Sequence, residues 1–375
     1  MKTILVFSGA AGYGHVRAAE ALCAGAQRWF PDLRCVHVDT GTLVPGLLRW
    51  VAADSYSPLV GVMPWLFDMI YEVVDTLYNT RGGRVMRRWG HARCLEGIAT
   101  VVATQQPDAI ICTHYLAAEL LALLRARGTA CPPVWVHLTD CDAHAIWVQD
   151  HVAGYFTPSV CAIERLVHHG VERARIHLNA TPIMPAFSTL PDRTVCAREL
   201  GIDPARPTVL VMGGARGAGD LAGMARAIAE CAPQAQVLVL AGRNEQARQQ
   251  VTHACADLMP RVVALGYTEH VERVMACGDV LVSKAGGVTC AESMAMGLPM
   301  VIVPHIAGHE LPNALLLEAA GAARRPHRVG DVPAAVAALL AAPQQLQQMR
   351  AAAARLARPY AARDALAVVT GWRGE

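Results

Sequence analysis

Lys284 is one of only two lysines among 33 basic residues, and its surroundings suit anion chemistry. It stands in Ser283-Lys284-Ala285-Gly286-Gly287-Val288-Thr289-Cys290-Ala291-Glu292, directly after the aliphatic run Val280–Val282. A strand that turns through glycines into a helix offers the helix's first N–H groups to a phosphate. Lys284 and the amides from Gly286 to Thr289, Gly287 included, are therefore placed to meet a diphosphate. Glu292, about a turn and a half along that helix, can offer both oxygens to a ribose diol. A solvated helix face is the plainer alternative for a lone glutamate. Upstream, Val209–Met212 leads into Gly213-Gly214-Ala215-Arg216-Gly217-Ala218-Gly219, a second glycine loop expected to open a helix and bind phosphate. Its alternative is a purely structural tight turn. The loop loosely fits the dinucleotide fingerprint, but the next strand ends in Gly242-Arg243 where an acidic residue should hold a ribose. That argues against NAD and leaves NADP open. In His305-Ile306-Ala307-Gly308-His309-Glu310-Leu311-Pro312-Asn313 the prolines and glycine deny the helix that a zinc-binding HxxxH needs. His309, Glu310 and Asn313 are instead expected to hydrogen-bond a sugar at the carboxyl edge of a sheet.

The first half carries a different chemistry. Gly12-Tyr13-Gly14-His15 puts an imidazole where the first strand turns into its helix, and histidine is the side chain best suited to take a proton near neutral pH. A capping or core histidine is the alternative among fifteen. Thr139-Asp140-Cys141-Asp142-Ala143-His144 follows the run Val134–Leu138 and has the DxD form that can hold a divalent metal on a diphosphate. Both phosphate-type loops lie in the other half, so no metal is expected, and Asp140 and His144 stand as reserve candidates for the base.

These groups need strands to hold them. Thr3–Phe7, Cys35–Val38, Ala109–Thr113, Val134–Leu138, Thr208–Met212, Gln236–Leu240, Val280–Val282 and Met300–Pro304 are short aliphatic runs alternating with alanine- and arginine-rich helical stretches. That repetition predicts an α/β fold of two doubly wound parallel sheets. A length of 375 residues suits two domains, and proline-rich segments at 181–185, 191–193 and 203–207 mark the linker. The expected domains are 1–187 and 188–343, facing across a cleft, with helices in 344–375. Twelve scattered cysteines fit reduced thiols, and no run of about 18 apolar residues suggests a membrane span. A net charge of +2 gives no field that calls for nucleic acid. The apolar start is too short for a signal peptide and is expected to be a buried strand. One region breaks the pattern: 41–93 holds Trp50, Trp65, Trp89, Tyr56, Tyr71, Tyr78 and the cluster Arg81, Arg84, Arg87, Arg88. It is either a helical insertion with an aromatic core or an amphipathic surface for a lipid or partner.

Taken in order, these motifs resemble the monogalactosyldiacylglycerol synthases and processive diacylglycerol glucosyltransferases. The resemblance rests on the glycine–histidine motif at Ser8–Leu22, Asp54-Ser55-Tyr56 with Pro64-Trp65 and Tyr71, and Thr139-Asp140…His144…Trp147 with Tyr155–Ser159. It continues in Met212–Gly217, Lys284-Ala285-Gly286-Gly287-x-Thr289-x-x-Glu292 and Gly308-x-Glu310-x-x-Asn313. The resemblance implies a GT-B fold of two Rossmann-like domains, acceptor site amino-terminal and nucleotide-sugar site carboxy-terminal. It implies an inverting, metal-independent transfer of hexose from a UDP-sugar to diacylglycerol, without a cofactor, by a cytoplasmic protein peripheral on the inner face of the membrane. His15 is then the base and Glu292 the ribose ligand. Gly213, Gly214, Arg216, Gly217 and Lys284 hold the diphosphate, while Glu310 and Asn313 hold the hexose. Gly14, Tyr56, Trp65, Arg84, Arg87 and Arg88 would serve the acceptor and membrane. Where the family has glutamine this chain has His309, and Tyr13 replaces a small residue, so neither the sugar nor the shape of acceptor entry follows from the motif. A UDP-sugar epimerase, a transferase with a non-lipid acceptor and a non-catalytic nucleotide-sugar-binding protein remain the competing readings.

Overall fold

The run Thr3–Phe7 has no polar face, which requires a strand covered on both sides. The computed structural model describes residues 1–9, 13–43, 94–304 and 310–372 and makes this run the second strand of a six-stranded parallel sheet. Along the chain come β1 (Lys2–Ser8), α1 (Tyr13–Trp29), β2 (Leu33–Asp39), α2 (Leu95–Gln105), β3 (Ala109–Cys112) and α3 (Tyr115–Ala126). They continue with β4 (Val134–His137), β5 (Val152–Thr157), α4 (Val160–His168) and β6 (Ile176–Leu178). The spatial order is β2-β1-β3-β4-β5-β6. Alternate residues feed two cores. Leu5 and Phe7 of β1 join Ile110 and Cys112 of β3 beneath α2 and α3, whereas Ile4, Val6, Ala109 and Ile111 join Ala19, Leu22 and Ala26 of α1.

The second sheet repeats the scheme. After α5 (Arg193–Glu199) come β7 (Thr208–Met212), α6 (Leu221–Cys231), β8 (Gln236–Leu240), α7 (Glu245–Ala254), β9 (Val262–Leu265), α8 (Val271–Ala276) and β10 (Val280–Ser283). Then follow α9 (Gly287–Ala295), β11 (Met300–Ile302), α10 (Leu311–Ala319), β12 (Ala323–Arg324), α11 (Val332–Leu340), α12 (Pro343–Leu356) and α13 (Ala361–Thr370). The order is β12-β11-β10-β7-β8-β9, again parallel throughout. Valines of β7, β8 and β10 form its core with Ala225, Ile228 and Ala229 of α6.

The described residues fall into two compact units, 1–185 with 360–372 and 186–304 with 310–359. The carboxy-terminal helices are thus divided. α12 stays with the second unit, while α13 returns to the first, where a Cβ on Gly25 of α1 would stand 3.2 Å from that of Ala362. β5, β6, β9 and β12 went unexpected in the sequence. Within β5, a Cβ at Gly154 would lie 2.4 Å from the Trp135 ring of β4, so the glycine leaves room for an indole.

In each sheet the chain first winds to one side of its starting strand and then crosses to the other. β1 lies between β2 and β3, and β7 between β8 and β10. Loops leaving the carboxyl ends of β1 and β3, or of β7 and β10, diverge there and open a crevice, the usual ligand position in such sheets. His15 follows β1. The Gly213 loop follows β7, and Lys284 follows β10.

Candidate functional site

At the first divergence β1 leads to α1, and His15 is the third residue of that helix, just after Gly14. Its Nδ1 lies 2.7 Å from the carbonyl oxygen of Thr113, the residue after β3. A carbonyl only accepts, so Nδ1 is the donor, and in the neutral ring the basic lone pair belongs to Nε2. Thr139 Oγ1 sits 3.2 Å from the same Nδ1, and the Thr139 carbonyl accepts from Thr181 Oγ1 at 3.0 Å. Thr113 also fixes the backbone, since its hydroxyl is 2.8 Å from the His15 carbonyl and 3.3 Å from that of Phe7. The imidazole is thus oriented from β3 and from the loop after β4.

His114 meets the His15 ring edge-on at 4.9 Å, and Trp147 lies 6.0 Å from His15. Burial, and next the neighbouring His15, hold the His114 imidazole well below the usual histidine range, so it is neutral. It caps α3 by accepting from the Leu116 N–H. Only glycine fits at position 9, where a Cβ would approach His114 Cγ to 2.5 Å. His144 is buried, and its Nδ1 accepts from the Ile146 N–H at 3.1 Å, so it braces a turn. Asp140 is half-buried beside Thr139. Asp142 accepts from Ala143 N–H at 2.8 Å and pairs with Arg165 at 3.4 Å. Ser159 of the Pro-Ser motif caps α4 through Ala162 N–H and donates to the Cys141 carbonyl, which fastens that helix to the Asp140 loop.

At the second divergence the two glycine loops differ in kind. The Gly213 loop folds back on itself, with Ala218 N–H donating to Gly213 O at 2.9 Å and Gly217 N–H to Gly214 O at 3.0 Å. A Cβ on Gly217 would lie 2.2 Å from the Ala241 carbonyl, and one on Gly213 2.7 Å from the backbone of Gly217. These glycines answer to packing. Gly214 (φ +69°) differs, since the nearest atom to a Cβ there is Lys284 Cε at 3.9 Å. Arg216 is exposed on the loop. The helix start that follows this loop carries a side-chain cap. Asp220 caps α6 by accepting from Gly223 N–H at 2.8 Å, which puts a carboxylate at that helix start. Arg243, which an NADP phosphate would need, lies 3.8 Å over the Tyr267 ring.

α9 has the helix start that fits an anion. Gly286 is its N-cap with no side-chain capping bond, Gly287 is its first residue and half-buried Thr289 its third. Lys284 Nζ pairs with the buried Glu310 carboxylate, and the two meet over Gly286, 3.6 and 3.5 Å from where its Cβ would be. Asn313, buried on α10, donates from Nδ2 to the Ala285 carbonyl at 2.9 Å, so it clamps the lysine loop. Glu292 is buried on α9. His309, Tyr56, Trp65, Arg84, Arg87 and Arg88 lie outside the described residues, as does nearly all of the 41–93 segment.

Residues 15–183 match the family model for monogalactosyldiacylglycerol (MGDG) synthase, and residues 208–364 that for the glycosyltransferase family 28 C-terminal domain. A probable chloroplastic monogalactosyldiacylglycerol synthase of Glycine max is 30% identical over 96% of this chain and 69% of its own length. The chain belongs to the monogalactosyldiacylglycerol synthase family of glycosyltransferases. A processive diacylglycerol beta-glucosyltransferase of Bacillus licheniformis is 25% identical over 93% of this chain and 89% of its own. Among solved structures, MurG of Acinetobacter baumannii superposes with a TM-score of 0.64 at 16% identity, over 99% of this chain and all of that one. The UDP-GlcNAc 2-epimerase of Neisseria meningitidis, solved with UDP-GlcNAc, gives 0.59 at 12% identity over 99% and 100%. These likenesses are of fold, and the fold is GT-B.

Within this family member, the sequence reading missed Thr113 and Thr139 as the partners of His15, and His114 as its neighbour. Thr113 and Thr139 stand 98 and 124 residues from His15 in sequence, and only the sheet order brings them together. A hydroxyl at the carboxyl end of a strand was the available signal in both cases, since Thr113 follows β3 and Thr139 lies just past β4.

Proposed function

We propose that the protein transfers a hexose from a UDP-sugar to the hydroxyl of a lipid, diacylglycerol foremost, with inversion and without a metal. The observation that carries this reading is the orientation of His15, whose Nδ1–H is held by the Thr113 carbonyl so that Nε2 is the basic nitrogen. Nε2 takes the acceptor's proton as its oxygen forms a bond to the anomeric carbon. The bond from that carbon to UDP breaks on the opposite face, and the electron pair leaves with the diphosphate. The growing charge is met by the uncapped start of α9 and by Lys284. In this reading Lys284 exchanges Glu310 for phosphate, and the released carboxylate turns to the hexose hydroxyls. Glu292 takes the ribose. The reaction takes place at the cytoplasmic surface of a membrane, where the acceptor resides.

An epimerase shares the fold alone, whereas the relatives named as diacylglycerol transferases align over 93% of this chain. The test is incubation with UDP-glucose or UDP-galactose and diacylglycerol vesicles in excess EDTA, with mass and anomeric analysis of the lipid. A β-linked hexosyl-diacylglycerol from an α-linked donor is expected. A retained anomer, an unmodified lipid or a strict need for added manganese would overturn the reading.

A further inference from the structure

α10 reads Leu311-Pro312-Asn313-Ala314-Leu315-Leu316-Leu317-Glu318-Ala319, apolar nearly all round. Asn313, Ala314 and Leu317 face inward, leaving Leu311, Leu315 and Leu316 at 38%, 45% and 38% exposure. A helix apolar on both faces is normally covered on both. The end of β12 and the residues just past it give the second observation. Arg324-Arg325-Pro326-His327-Arg328 is a dense basic run, with Arg324, His327 and Arg328 exposed and Arg325 paired to Glu318 of α10 at 3.0 Å.

Strand direction places these groups together. All strands of the sheet are parallel, so α10 begins at the carboxyl edge and β12 ends there. The Arg325–Glu318 pair fastens the basic run to the helix one turn beyond Leu315. The same edge carries Lys284 and Gly286, and α10 starts directly after Glu310, the partner of Lys284.

We propose that α10, the end of β12 and the loop after it form a lipid-docking surface of the second unit, in which the three leucines enter the acyl boundary and Arg324 and Arg328 meet anionic headgroups. The proposal rests on the lipid-transferase reading above and adds a membrane contact on the nucleotide side of the molecule. Exposed leucines with arginines at their margin match an anionic bilayer in both layers, apolar chains below and negative charge above. An acidic protein would satisfy the arginines and leave the leucines unexplained. Membrane contact here would keep the donor site at the level of an acceptor that cannot leave the bilayer.

Flotation of the full chain with phosphatidylglycerol-containing vesicles, and with pure phosphatidylcholine, tests this. R324Q/R328Q is expected to weaken binding to the anionic vesicles about 30-fold, two arginines at about 1 kcal/mol each. L315S/L316S should weaken binding to both vesicle types. Both double variants should turn over short-chain, water-dispersed diacylglycerol at the wild-type rate while losing turnover of vesicle-embedded acceptor. Unchanged vesicle binding by either variant would overturn the docking surface. So would a wild-type dimer in lipid-free solution that L315S/L316S splits, since a second copy would then be the occupant. If the wild type turns over neither acceptor, the transferase reading fails, and flotation still decides the surface by itself.

Discussion

His15 carries the account because three groups remote in sequence fix what its ring can do. The Thr113 carbonyl selects the tautomer, Thr139 Oγ1 adds a second contact at Nδ1, and the Thr113 hydroxyl holds the His15 backbone. Replacing His15 with alanine should lower kcat by about 10²–10⁴ and leave UDP affinity unchanged, read by steady-state kinetics beside calorimetry. Turnover within a few-fold of wild type would move the base to Asp140. Glu292 belongs to the other chemistry. Because it is buried, glutamine is the informative change, since it keeps the volume and removes the charge. Glu292→Gln should weaken UDP binding by about 1.5–3 kcal/mol with the melting temperature retained, and unchanged affinity would end its ribose role. The histidine itself was legible because a glycine-flanked imidazole after a buried strand is a local pattern. Its partners were not, because their proximity is a property of strand order.

Among the elements, the two helix starts in the second unit differ in how they are capped. Both follow glycine loops and look alike in sequence, yet Asp220 closes one and Gly286 leaves the other without a side-chain cap. The difference rests on one residue's position. Asp220 stands directly before the apolar run of α6, a capping signal that the more conspicuous glycines obscured. Asp220→Ala should cost about 1 kcal/mol in denaturant unfolding and leave UDP affinity within a factor of two. A large loss of UDP affinity would return the phosphate to that loop. β4 carries a second consequence. Burial pulls the His137 imidazole down to about 4, and its Nε2 has no hydrogen-bond partner in the interior. The neutral ring is favoured in the fold, while the unfolded chain protonates near 6.5. Its contribution is complete above pH 6.5 and is lost as pH falls toward 4, at most about 3 kcal/mol by linkage. Buried His114 acts in the same direction. Urea midpoints that stay flat from pH 7 to about 4.5 would contradict this assignment.

At the scale of the molecule, the doubled Rossmann pattern was readable from aliphatic runs because parallel strands buried on both faces leave no polar positions to blur them. The path of the last helix was not readable, since α12 and α13 have similar alanine-rich sequences and differ in which unit they cover. The proposed transfer makes one chemical statement, that UDP is released only as a sugar is accepted by a lipid hydroxyl. Coupled measurement of UDP release with and without diacylglycerol tests that most directly. The account predicts one UDP for each glycolipid formed and no more than slow hydrolysis when the lipid is withheld. Conversion of the UDP-sugar to another UDP-sugar without lipid, or UDP release indifferent to diacylglycerol, would contradict it.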